Sequence, residues 1–193
     1  MAVGAGDVPM PEQPHTLVVR PQIPMALLVG VPWCAALGVV DALRAMGATD
    51  VGIAWPHDVV VGGALALSLA ARGGYDDRGM FVRLALAAAG DVPRPSRSLL
   101  GRVDRAIAAR LGVWERGVAA HGPQAGPLAP FLSEYFDLVH LMGRPVEVVH
   151  PNGRVFDRGT LAGIDAWGRA AIRRPDGSEL EVAPEQARLR AVR

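Results

Sequence analysis

The feature that most restricts the fold is a short turn, Trp55-Pro56-His57-Asp58, set between two β-branched runs, Val51-Gly52-Ile53-Ala54 and Val59-Val60-Val61. Runs of that composition read as strands, and a proline between them presets the reversal. Gly62-Gly63 reverses the chain again before the apolar run from Ala64 to Ala71, which predicts a tight hairpin. Arg72 to Gly79 reads as a polar turn and Met80 to Leu86 as a further strand, so the sheet is at least partly antiparallel.

Helices flank that sheet. Leu17-Val18-Val19 is a short strand ended by Arg20-Pro21, because proline restrains the residue before it and cannot donate to a ladder. From Met25 to Met46, Leu28, Val31, Ala35, Val39 and Leu43 recur at three- and four-residue spacing, with Gly47 as the stop of a long apolar helix. Beyond Pro93 and Pro95, Leu99, Val103, Ile107, Leu111 and Trp114 share one helical face. A second helix is predicted from Leu128 to Met142, with Phe131, Tyr135, Phe136, Val139 and His140 near its buried side and Gly143 ending it. The remainder is short strands punctuated by Asn152-Gly153 and Asp176-Gly177, the pattern of a small antiparallel barrel. The expected fold is therefore α/β, or α+β: a mixed sheet packed with helices, then a small β-barrel. Its expected divisions are a flexible leader over 1–15, a main domain over 16–142 and a C-terminal β-module over 143–193.

Charge and cysteine usage narrow the partners. A net charge of +1 provides no basic footprint, so nucleic acid is not an expected partner. Every basic side chain other than histidine is arginine, and the absence of lysine excludes a P-loop lysine or a Schiff base. Cys34 is the single cysteine, which rules out an intramolecular disulfide and suggests a cytoplasmic home. The apolar stretch from Pro24 to Val40 is broken by Gly30, Pro32 and Gly38 and falls short of the ~20 residues of a membrane span, so it reads as a buried helix. His15, His57, His121, His140 and His150 lack metal-ligand spacing, and no metal is expected from side-chain clusters. Gly-x-Ser-x-Gly, His-Glu-x-x-His and P-loop patterns are missing.

The turn has two readings. In the structural one, Pro56 shapes the turn, Asp58 bonds nearby backbone N–H groups, and Trp55 fills the gap beneath. In the functional one, a turn at the end of a strand is a place from which side chains face a ligand.

The order of elements resembles the biotin protein ligase family. There a Lys-Trp-Pro-Asn-Asp motif follows a strand ending near Arg-Pro and a long apolar helix, and precedes a hairpin bearing Lys-Leu-Ala-Gly. Here Leu17 to Pro21, the Met25–Met46 segment, Ile53-Ala54-Trp55-Pro56-His57-Asp58 and Gly62 to Ala66 fall in that order. The tail, with Leu141 to Val148, Gly159 to Asp165 and Ala187-Arg188-Leu189-Arg190, is similar to the family's SH3-like module. The resemblance implies ATP-dependent adenylation of biotin, with magnesium, and transfer to a lysine of a biotin carrier protein. It also implies that Asp58 is catalytic, that Trp55, Pro56, His57 and Ala64 lie at the ligand, and that Arg190 approaches the nucleotide.

Departures are specific. The motif's lysine is Ala54, its asparagine is His57, the hairpin lysine is Ala64 and the hairpin glycine is Leu67. Val82 to Ala87 replaces a Gly-Ile-Gly-Ile-Asn strand, and no Gly-Arg-rich loop precedes Thr16. Each change removes a charge or the space that glycine leaves. The sequence thus supports two functions: a divergent biotin or related acyl ligase completed by a partner subunit or a second copy, or a non-catalytic homologue that binds a ligand or stabilises an assembly.

Overall fold

The structure is a computed structural model that describes residues 14–89 and 96–192. Five strands, β1 (His15–Val19), β2 (Val51–Ala54), β3 (Asp58–Val61), β4 (Ala64–Asp76) and β5 (Gly79–Ala88), form an antiparallel sheet in the order β1-β5-β4-β3-β2. The hairpins follow from glycine: Gly62 and Gly63 adopt φ of 59° and 73° between β3 and β4, a region that side chains with a Cβ avoid. β4 runs on to Asp76, so most of the expected Arg72–Gly79 turn is strand. Gly73 and Gly74 leave alternation intact there, and pairing with Val82 and Phe81 supplies the hydrogen bonds that a free turn would lack. His15 already belongs to β1, and the rest of the expected leader, 1–13, lies outside the described residues.

Two long helices pack on this sheet: α1 (Val31–Arg44) lies against β2, β3 and β4, and α2 (Arg97–His121) lies mainly against α1 and reaches β1. The expected single helix from Met25 begins instead as a 3-10 segment, Met25–Gly30, because Pro32 in the first turn of α1 cannot donate an intrahelical bond. Met25–Arg44 is long and apolar enough to cross a membrane, but 67% of that window is buried in the protein's own core. α2 starts at Ser96, whose hydroxyl accepts the Leu99 N–H at 3.2 Å, and buries Leu100, Val103, Ile107, Leu111, Trp114 and Val118. The two helices approach at Gly38, where an added Cβ would stand 2.7 Å from the Ile107 Cα.

The predicted Leu128–Met142 helix is shorter than expected. α3 covers only Leu132–Leu138, because Val139 forms a parallel bridge to Ile53 and the His140 N–H donates to the Ile53 carbonyl at 3.1 Å. Five further strands, β6 (Pro145–Val149), β7 (Val155–Ile164), β8 (Ala170–Arg173), β9 (Glu179–Val182) and β10 (Arg188–Ala191), make a second antiparallel sheet, ordered β10-β6-β7-β8-β9. Buried residues of both sheets, from Leu27 to Leu189, form one hydrophobic cluster.

Candidate functional site

The turn after β2 is fixed from two sides. Trp55 is 2% exposed, and its indole N–H donates 2.9 Å to the Gly168 carbonyl in the β7–β8 loop. The Pro56 carbonyl accepts the Tyr135 hydroxyl of α3 at 2.5 Å. Both side chains are amphipathic, so each fills core volume with its ring and spends its one polar group on a backbone carbonyl.

Between these anchors, His57 and Asp58 keep only 14% and 16% of their side-chain area exposed. Asp58 Oδ1 accepts the Leu69 N–H at 2.9 Å, across the β3–β4 ladder rather than within its own turn. Burial raises the Asp58 carboxyl above its ordinary range, and the Leu69 bond and Arg188 oppose that rise. His57 Nδ1 is buried and has no hydrogen-bond partner among the described residues. Its separation of 4.0 Å from Asp58 Oδ1 is not an ion pair, because burial and then Arg188 push His57 down to about 4 and keep the ring neutral near pH 7.

His57 lines a cleft of about 1090 Å³. One wall comes from the Met25–Gly30 segment and the start of α1, a second from β4 and β5, and a third from loops of the C-terminal sheet and the first residue of its last strand, Arg188. Its surface is largely apolar, with Leu28, Val29, Trp33, Leu69, Val82 and Trp167. The charged groups are Arg169, Glu185 and Arg188. Arg169 is committed to Asp165 and Glu181, both at 2.6 Å. Among the described residues, Arg188 bonds only the Pro184 and Ala187 carbonyls, each at 3.2 Å, and has no carboxylate partner. A free guanidinium against aromatic and aliphatic walls suits an organic anion with an apolar body.

The sequence-derived residues divide between this cleft and elsewhere. His57 lines it; Trp55, Pro56 and Asp58 are not part of its walls. Ala64 sits exposed at the β3–β4 hairpin, paired with Val61 and outside the cleft. Leu67, at the expected glycine, is buried in the core together with Leu84. Arg190 is held by Glu147 at 2.9 and 2.5 Å, away from the cleft, and its neighbour but one, Arg188, faces the cleft instead. Trp33, Trp167 and Arg188 were not singled out by motif. The available signal was the two-residue period of β10, which puts Arg188 and Arg190 on one face without saying which is already paired. Among the described residues, no three of His, Cys, Asp and Glu gather to hold a metal.

A second cleft, of about 600 Å³, lies at Gly62, Gly63 and His140, with Asp50 and Arg144 as its charged groups.

The two antiparallel sheets with their helices make an α+β fold that matches that of biotin protein ligases, and the C-terminal sheet fits an SH3-like domain. The chain is similar to the crystal structure of biotin protein ligase from Aquifex aeolicus, with a TM-score of 0.67 and 16% identity over 92% of this chain and 81% of that one. It is also similar to the biotin protein ligase from Aquifex aeolicus in complex with biotin and ATP, with a TM-score of 0.66 and 16% identity over 92% and 77% of the two chains. No family model and no curated protein matches the sequence.

Proposed function

We propose that this chain is a biotin-protein-ligase-like protein that binds a small organic acid, or its adenylate, in the Arg188 cleft, without performing lysine-dependent adenylation itself. The observation that carries this reading is Arg188: a guanidinium that has no carboxylate partner among the described residues and lines a largely apolar cleft beside His57, whose Nδ1 is buried and unpartnered there. Support for the ligand class comes from the fold likeness to a neighbour whose structure is a complex with biotin and ATP. Arg188 would take the carboxylate or phosphate, and Trp33 and Trp167 would flank the apolar part. Magnesium does not fit these residues, since Asp58 already accepts the Leu69 N–H and, among the described residues, no three of His, Cys, Asp and Glu gather to hold a metal.

Isothermal titration with biotin, ATP and biotinoyl-AMP tests the proposal. Binding of at least one of them is expected, weakened about 10- to 100-fold in Arg188→Met, the range of one charge-assisted hydrogen bond. Absence of heat with all three would overturn it.

The second reading is enzymatic: a divergent biotin or related acyl ligase in the cytoplasm, with Asp58 near the nucleotide, acting on a biotin carrier protein. Its support is the fold likeness over 92% of the chain. In this reading the missing groups come from a second copy or a partner subunit, and β1 is an edge strand with Val18 half exposed, available for pairing with another chain. Transfer of biotin to a carrier domain, lost in Asp58→Ala, would establish it over the first.

A further inference from the structure

The geometry points to His57 as a general base of the cleft, oriented by Asp58, which equips this site to hydrolyse an activated acyl ligand with water. The inference rests on the reading that the cleft binds an acyl ligand. Four requirements of such a base are met by residues placed by three different elements. The ring lines the cleft while its Nδ1 is turned inward, buried and unpartnered. The carboxylate nearest that Nδ1 is Asp58, whose Oδ1 is 4.0 Å away and is itself held by the Leu69 N–H. Hydrogen bonds of catalytic pairs are commonly long until substrate closes them, so a modest turn of the ring completes this one. A cation, Arg188, shares the cleft and can face a carbonyl oxygen as charge develops on it. The walls around His57 and Asp58 are largely apolar and both side chains are mostly buried, which strengthens the interaction between them.

The groups that act on His57 are few. Asp58 adjoins it from β3, Arg188 from β10, and Glu185 and the paired Arg169 share its cleft. Burial and then Arg188 keep the imidazole neutral near pH 7 and also weaken it as a base, and a hydrogen bond from Nδ1–H to the Asp58 carboxylate would offset that weakening by favouring the protonated ring. At the position where the ligase motif carries asparagine, this chain therefore has a group that can move a proton.

The step balances without a co-reactant other than water. The water oxygen bonds to the acyl carbon of R–CO–X as Nε2 takes the water's proton. The C–X bond then breaks, and the proton passes from Nε2 to X. The products are the carboxylic acid and HX, with Asp58 holding Nδ1–H throughout as a positioning residue.

p-Nitrophenyl hexanoate, given to the full chain, tests the inference. The expected result is hydrolysis above the buffer rate, with kcat/KM about 100-fold lower in His57→Gln, the lower end of what a general base contributes. That variant retains the other four histidines, so surface imidazoles cannot imitate the effect. Asp58→Asn keeps an acceptor for the Leu69 N–H and should lower kcat with KM unchanged, which a merely structural role would not do. The wild-type rate should fall on acidification as His57 gains a proton. A wild-type rate equal to buffer, or equal rates in wild type and folded His57→Gln, would overturn the inference. Titration with hexanoate separates the two failures: binding without hydrolysis defeats the base alone, and neither defeats the ligand reading as well.

Discussion

Tyr135 shows how much of the site depends on single polar atoms. Its ring is fully buried, and burial pushes its hydroxyl upward, so it remains a donor to the Pro56 carbonyl at any ordinary pH. Tyr135→Phe leaves that carbonyl buried without its partner, and an unfolding curve in urea should show a loss of about 1–3 kcal/mol. His57 gives a pH dependence of definite sign. Its ring is depressed to about 4 from 6.5, so between those values the unfolded chain binds a proton that the folded one refuses. Stability from this group is complete above about pH 6.5 and is lost as pH falls through that window. By the 1.36 kcal/mol carried by each unit, the loss approaches about 3 kcal/mol. Asp58, raised by burial, works in the opposite direction, its folded form holding a proton that the unfolded chain gives up as pH rises. Urea midpoints at pH 7 and 4.5 should therefore converge in His57→Gln relative to wild type; unchanged divergence would show that other groups set the acid limb.

At the scale of elements, backbone approach decides more than side-chain pattern. The α2 stripe of Val103, Ile107, Leu111 and Trp114 is present in the sequence as spacing, and the structure buries all four. Its partner surface is not, because the crossing depends on Gly38, whose missing Cβ admits the Ile107 backbone at 2.7 Å. Gly38→Ala gains helix propensity of about 1 kcal/mol but forces the helices apart. The net expectation is a loss of about 1–3 kcal/mol in thermal or urea unfolding. Gly168 is a second such point. Its φ is 79°, and a Cβ would fall 2.1 Å from Trp33, so Gly168→Ala should displace the Trp33 wall of the cleft and weaken ligand binding more than Trp167→Ala does. α3 illustrates why the end of a helix is hard to read from spacing. The apolar positions continue to Met142, but His140 finds its acceptor on Ile53 in a neighbouring strand, and helix beyond Leu138 would forgo that bond.

Across the whole molecule, the two sheets behave as one packed body. Trp55 reaches Gly168, the Leu128 N–H donates to the Ala166 carbonyl at 2.9 Å, and the buried cluster is continuous from Leu27 to Leu189. Tryptophan fluorescence and far-ultraviolet circular dichroism should therefore report a single coincident unfolding transition. A chain truncated after Met142 loses the acceptor of Trp55 and the covering of β2 and α3, and it is expected to unfold without a cooperative transition. Arg110 adds a charged clamp to the helical layer, binding Asp41 of α1 and Glu134 of α3.

The sequence by itself determined the order of the main elements and the kind of most of them, because apolar period, proline and glycine act locally, whereas the strand through Arg72–Asp76 and the end of α3 at Leu138 depended on strand pairing. It also determined the Trp-Pro turn and the absence of lysine, which removes a chemistry whatever the fold. Only the tertiary structure decided which side chains meet. Arg188 and Arg190 lie on the same face of β10, and nothing local distinguishes them. Strand pairing sets Arg190 opposite Glu147 and Arg188 opposite Val149, so one cation is neutralised and the other is left to the cleft. The same holds for Asp58, whose bond to Leu69 spans a ladder, and for His57, whose proton affinity is set by the burial and the distant arginine that the fold brings to it.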